Sequence, residues 1–289
     1  MNEQLSLNNF GFVGFGLIGG SIAHALRELQ PNSYIIAYNY YKTKPHAKLE
    51  AAKKDGILNE ISTSLSDFSK CDAIFLCAPV LTNISYLKEL APYISEKCVL
   101  TDVGSVKGNI HHAVSELGLD KNFVGGHPMT GSEKTGYANS ASSYLKNAYY
   151  ILTPTKESPK AYTNWLKDFI IAAGSHCEIM DCDTHDKITA AISHCPHLIS
   201  ASLINTVASL DNNGLYGKLA AGGLKDITRI SSSSPEMWQN ICLSNPDAIT
   251  DFLDKYIDTL TTAKKAVKDG DADKLMNFFE SAKKYRDNL

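Results

Sequence analysis

The stretch Phe10–Gly20, FGFVGFGLIGG, decides the fold. Phe10 to Val13 is an apolar run of the kind that makes a buried strand. Glycines follow at 14, 16 and 19, the spacing of a dinucleotide-binding turn. Gly14 permits the tight turn, Gly16 lets the backbone approach a pyrophosphate, and Gly19 lets helix and strand pack closely. The next segment places Ile18, Ile22, Ala25, Leu26 and Leu29 on one helical face. Its start, at Leu17 and Ile18, offers free amides to an anion. A glycine-rich turn without a ligand is the plain alternative. The strand before and the helix after favour a bound NAD or NADP.

Working outward, apolar runs recur at Tyr34–Tyr38, Ala73–Cys77, Val99–Thr101, Ala148–Leu152 and Cys177–Met180, with helical patterns between them. This alternation predicts an α/β, Rossmann-type, doubly wound parallel sheet over residues 1–181. Beyond it the character changes. Thr184 to Leu210 is one long helical pattern with Pro196 inside it as a kink. Ser234-Pro235 and Asn245-Pro246 read as helix starts, and Asp271 as the cap of the last helix. Residues 182–289 are therefore expected to form an all-helical substrate and dimerisation domain. Its long apolar helices in so small a domain predict a core completed across a homodimer interface.

The bulk properties exclude several classes. The net charge is −3 and no long basic run occurs, which argues against nucleic acid. No apolar run approaches the ~20 residues that span a bilayer, and the first residues do not read as a signal peptide. The seven cysteines are scattered and odd in number, without zinc-site spacing. They predict reduced thiols in a cytoplasmic protein that holds no metal.

Cofactor choice falls to the end of the second strand. About twenty residues after Gly19, where NAD sites carry an acid, stands Asn39. Asn does not repel a 2′-phosphate, and Lys42 and Lys44 follow, which tilts the expectation toward NADP. The ordinary alternative is that both lysines decorate an exposed helix start.

A second signal is GGHPMTGSEKTG at 125–136. It sets His127 between two glycines and a proline, in a predicted loop after a strand at Phe123-Val124. A histidine held over a cofactor is a natural general base. A lone His of this kind is otherwise a surface residue.

Together these segments resemble the prephenate/arrogenate dehydrogenase family. The resemblance rests on GFGLIGGS from Gly14, DVGSVK from Asp102, GGHPMTGSE from Gly125, SHCPH from Ser193 and LKDITRISSSSPEMW from Leu224. Cys195 stands where the family commonly has Leu. The resemblance implies the short form, without ACT or chorismate mutase domain. It implies oxidative decarboxylation of a cyclohexadienol, with His127 as base and Ser105 orienting it. It also implies His197 near the substrate side chain and Arg229 on the ring carboxylate. Glu133 and Asp226 would pair with that arginine, and Trp238 would line the pocket. Each residue has a plainer reading. Ser105 would cap the helix starting near Val106, His194 and His197 would be core histidines, Asp226 and Arg229 a surface pair, and Trp238 a core aromatic. Arrogenate is the alternative substrate. A β-hydroxyacid dehydrogenase using Lys187, or a non-catalytic dinucleotide sensor, are the competing classes.

Overall fold

The computed structural model describes residues 5–39, 47–131 and 134–289, with backbone only at Ala47 and Lys48. Lys42 and Glu133 lie outside the described residues. Strands β1 (Asn9–Val13), β2 (Tyr34–Tyr38), β3 (Glu60–Ile61), β4 (Ala73–Leu76) and β5 (Val99–Asp102) form a parallel sheet in the order β3-β2-β1-β4-β5. Helices α1 (Leu17–Leu29), α2 (Ala47–Lys54), α3 (Val80–Leu90) and α4 (Gly108–Glu116) connect and follow them. Alternate β1 residues feed opposite cores. Phe10 and Phe12 join one apolar cluster, where Phe12 stacks on Phe75 at 5.0 Å, and Val13 joins the other. Burial on both faces is why these strands read as unbroken apolar runs.

A three-stranded extension follows: β6 (Val124–Pro128), β7 (Tyr149–Pro154) and β8 (His176–Ile179), with α5 (Lys160–Ala172) between the last two. A bridge from Leu100 to Phe123 joins it to β5. Here the sheet departs from the all-parallel expectation, because β6 and β7 are antiparallel. Between Pro128 and Tyr149 the described chain has only three-residue 3₁₀ turns. A parallel return needs a crossover that is usually helical, and this segment supplies none.

After β8 the chain is helical: α6 (Cys182–Thr189), a π-helical turn (Ala190–His194), α7 (Cys195–Leu210), α8 (Leu215–Leu219), α9 (Gly222–Thr228), α10 (Pro235–Ser244), α11 (Pro246–Asp269) and α12 (Ala272–Arg286). The interruption expected at Pro196 is the π turn just before it. Proline lacks the N–H and its ring crowds the carbonyl four residues back, and a wider turn relieves both. Asp181, Ser234 and Asp271 cap α6, α10 and α12 through side-chain oxygens. Asn245 makes no such cap on α11. Its amide instead donates to the Asp186 carbonyl at 2.8 Å and meets His194 Nδ1 at 3.3 Å. Among the described residues, no helix is long and apolar enough to cross a membrane.

Candidate active site

The nucleotide turn has the geometry its glycines imply. Gly14 has φ +86°, and a Cβ there would lie 2.6 Å from the Ala78 nitrogen. At Gly19 a Cβ would meet the Gly14 carbonyl at 2.8 Å, whereas at Gly16 it would meet nothing within 4 Å. Helix and strand are thus in close contact, and the space over Gly16 is open for a ligand. No acidic residue occupies the first turn of α1, so the positive end of the helix is left to an anion. A cleft of about 350 Å³ runs past Gly14, Gly16, Asn39, Ala78, Thr82 and Gly136. The Asn39 Oδ1 accepts the Phe15 N–H at 2.6 Å, and its amide N–H₂ makes no hydrogen bond among the described residues.

His127 lies within β6, not in a loop after it. Gly125 and Gly126 serve close packing. A Cβ on Gly126 would sit 2.6 Å from the Asp102 carbonyl, and one on Gly125 would collide with Thr153 Oγ1. Sheet pairing opposite Ile151 holds His127 in place.

The His127 ring is half-buried, and its Nδ1 meets His185 Nε2 at 2.8 Å. His185 is fully buried, and its Nδ1 meets Asp186 Oδ1 at 2.8 Å. Asp186 also accepts the Lys107 N–H at 2.8 Å and the Gly108 N–H at 2.7 Å, at the start of α4. Burial alone would raise the Asp186 carboxyl. The hydrogen bonds from His185, Lys107 and Gly108 outweigh it and hold the group below the usual range. Proton positions follow from this. An ionised carboxylate only accepts, so His185 donates from Nδ1; an imidazole with a single N–H then accepts at Nε2, so His127 donates from Nδ1. The lone pair of His127 is left on Nε2, on the edge away from the buried partner. Burial pushes the His127 imidazolium well below the ordinary histidine range, and the nearby His185, Lys107 and His194 push it further. The arrangement is a neutral imidazole ready to take a proton.

His185 and Asp186 were not singled out from sequence. Their partner, His127, is 58 residues from His185 in the chain, and adjacent residues on a helix do not face one another by rule. Ser105 sits on the neighbouring loop after β5, half-buried, and makes no hydrogen bond among the described residues. It does not cap α4, which starts at Gly108 and not near Val106; Asp186 satisfies that helix end instead.

The long helix carries the other histidines. His185 and His197 would lie about 120° apart on an unbroken α-helix, but the extra residue of the π turn brings them within about 20°. The His197 ring stacks on Trp238 at 3.5 Å between centroids, and its Nδ1 bonds the Ser193 carbonyl at 2.9 Å. Burial lowers its pKa and nearby Arg229 adds to the effect. Trp238 packs with Val80, Val106 and Ile241, so it links the helical domain to the Ser105 loop. His194 is buried as the plainer reading expected, with its pKa pushed down to about 4. Arg229 and Asp226 are both exposed and form no ion pair with each other. The surface pair suggested by their spacing is therefore absent.

Residues 22–179 match the prephenate dehydrogenase nucleotide-binding domain, and residues 181–281 match the prephenate dehydrogenase dimerization domain. The chain belongs to the prephenate dehydrogenase family. It is 38% identical to the prephenate dehydrogenase of Bacillus subtilis over 280 residues, which are 96% of this chain and 74% of the relative. Prephenate dehydrogenase of Aquifex aeolicus, solved with hydroxyphenyl propionate and NAD+, superposes with a TM-score of 0.90 at 32% identity, covering 99% of both chains. The Synechocystis arogenate dehydrogenase superposes at 0.86 with 28% identity, over 97% of this chain and 99% of that one. Membership accounts for the join of a Rossmann domain for NAD(P) to an all-helical domain. It agrees with an open nucleotide turn at the start of α1.

Proposed function

We propose that the protein oxidises and decarboxylates prephenate to 4-hydroxyphenylpyruvate, reducing NAD(P)+, as a step of tyrosine biosynthesis. The carrying observation is the Asp186–His185–His127 chain, which leaves a neutral acceptor nitrogen on the half-buried His127. When bound, the nicotinamide supplies the hydride acceptor. His127 takes the proton of the ring hydroxyl, with Ser105 beside it, while Arg229 and His197 hold the carboxylate and side chain and Trp238 backs His197. Loss of CO₂ makes the ring aromatic, and the proton returns to the phenolic oxygen. Glu133 then serves the arginine at the entrance, whereas Asp226, expected to pair with it too, makes no ion pair with it here. The same residues suit arrogenate, and the likeness to an arogenate dehydrogenase structure supports it as the second reading.

The amide N–H₂ of Asn39, unbonded among the described residues, supports NADP, because a neutral donor binds a 2′-phosphate without repelling it; Lys42 would add charge. Gly14, Gly16, Leu17, Ile18 and Gly19 would cradle the pyrophosphate. Exposed Leu219, Leu243, Val267 and Phe279, each at least 65% accessible, support a homodimer through the 182–289 domain. Seven unpaired thiols support a cytoplasmic setting. Incubating the protein with prephenate and either dinucleotide, and following reduced-nicotinamide absorbance, tests the activity. The proposal fails if neither prephenate nor arrogenate supports reduction. Sedimentation at micromolar concentration tests the dimer, which a stable monomer contradicts.

A further inference from the structure

The motif DVGSVK holds two residues that the reaction does not use. Lys107 and Asp102 are both buried, and Lys107 is wholly inaccessible. Their side chains pair directly. Lys107 Nζ also donates to the Gly126 carbonyl at 2.7 Å, and Asp102 Oδ1 accepts the Gly126 N–H at 3.2 Å. Gly126 immediately precedes His127, so this pair binds both polar groups of the residue that leads into it. Asp102 Oδ2 also accepts the Gly104 N–H at 2.9 Å, which ties in the Ser105 loop. A Cβ on Gly125 would come 3.3 Å from Lys107 Cδ, so the glycine pair admits the lysine stem.

A buried ion pair is a poor source of stability, since desolvation offsets its attraction. Its value here is placement. We propose that Lys107, held by Asp102, is a positioning residue for the base: it clamps the strand at Gly126 and sets its amino group beside His127. The proposal rests on the reading of His127 as the base.

The titratable groups around Lys107 and His127 come from every element packed against them. Asp102 lies on β5, His111 on α4, His127 on β6, Asp186 and His185 on α6, and His194 in the π turn. His111 is engaged with Thr153 Oγ1 at 2.9 Å, and Asp186 with its three donors. Burial lowers the Lys107 pKa, and the charge and hydrogen bond of Asp102 and the charge of Asp186 work against that shift to keep the ammonium form. That form disfavours a second cation on His127.

The test uses Lys107→Met alone and together with Asp102→Asn. The double variant removes both charges, so it avoids a stranded carboxylate. It should fold and bind NAD(P) as before. Turnover at neutral pH should fall about 10- to 100-fold as the base loses its seat. The acid limb of the rate profile should move up by on the order of one pH unit. If Lys107→Met folds, its limb should move further, because the Asp102 charge is then unopposed. If it does not fold, the double variant decides alone. A double variant with unchanged turnover and an unmoved limb, in a background where His127→Asn is inactive, overturns the proposal. If His127→Asn itself keeps turnover, the base reading fails instead, whatever Lys107 does.

Discussion

Asp186→Asn tests the chain of hydrogen bonds that ends on His127. The carboxylate serves three donors: His185 Nδ1 at 2.8 Å, the Lys107 N–H at 2.8 Å and the Gly108 N–H at 2.7 Å. The amide keeps one acceptor oxygen and turns an N–H₂ group toward at least one of them. His185 is then free to accept at Nδ1 and donate from Nε2. That forces His127 to accept at Nδ1 and to carry its proton on Nε2, where the substrate proton must arrive. Turnover should fall by about 10⁴, the loss found when the same change produces the wrong tautomer in a Ser-His-Asp triad. Stability should also fall. Hydrogen bonds to a charged group contribute about 1.5–3 kcal/mol each, so losing one or two costs about 1.5–6 kcal/mol. The sign with pH follows from the depressed Asp186 pKa. Its contribution is complete above the unfolded value of ~3.9 and is lost as pH falls through the lower folded value. The gap between wild type and variant should therefore close in strong acid. Steady-state turnover at neutral pH and urea unfolding across pH are the assays. A variant with near-normal turnover and a wild-type rate profile would refute the tautomer argument.

Arg229→Ala should raise the Michaelis constant for substrate by one to three decades, the ~2–5 kcal/mol of an anion losing its partner, and leave that for the dinucleotide unchanged. Lysine should restore only part, since it keeps the charge without the planar fork. Unchanged substrate kinetics in the alanine variant would remove Arg229 from the pocket. Asn39→Asp should shift the ratio of specificity constants from NADP toward NAD, by adding a ribose acceptor and repelling the 2′-phosphate; a wild type that strongly prefers NAD sinks that inference. His194, held neutral by burial down to about 4, makes stability fall as pH drops from ~6.5 toward 4, because the unfolded chain takes up a proton that the folded one refuses. The loss from this group is about 3 kcal/mol, and urea midpoints for His194→Phe should lack that share of the slope.

Much of the architecture was legible because it depends on local rules. The apolar run at Phe10–Val13, the glycine spacing after it and the period of α1 are written within twenty residues. Capping at Ser234 and Asp271 is likewise a matter of neighbours along the chain. Local reading went astray where a residue's role is set by what lies across the sheet. The segment around His127 read as a loop, yet Gly125 and Gly126 lie in a strand, where Asp102, Thr153 and the Lys107 stem leave no room for a Cβ. Asn245 looked like a cap, yet its amide is drawn to Asp186 and His194. The direction of β7 depended on a connection that forms no long helix. The sequence by itself determined a nucleotide turn, a candidate base and an all-helical second half, since each is a pattern of side chains at fixed spacing. Only the tertiary structure decided which nitrogen of His127 is free. That depends on His185 and Asp186, which come from the first helix of the second half. Hydrogen bonds between distant segments form only once two packed elements bring their donors and acceptors within about 3 Å.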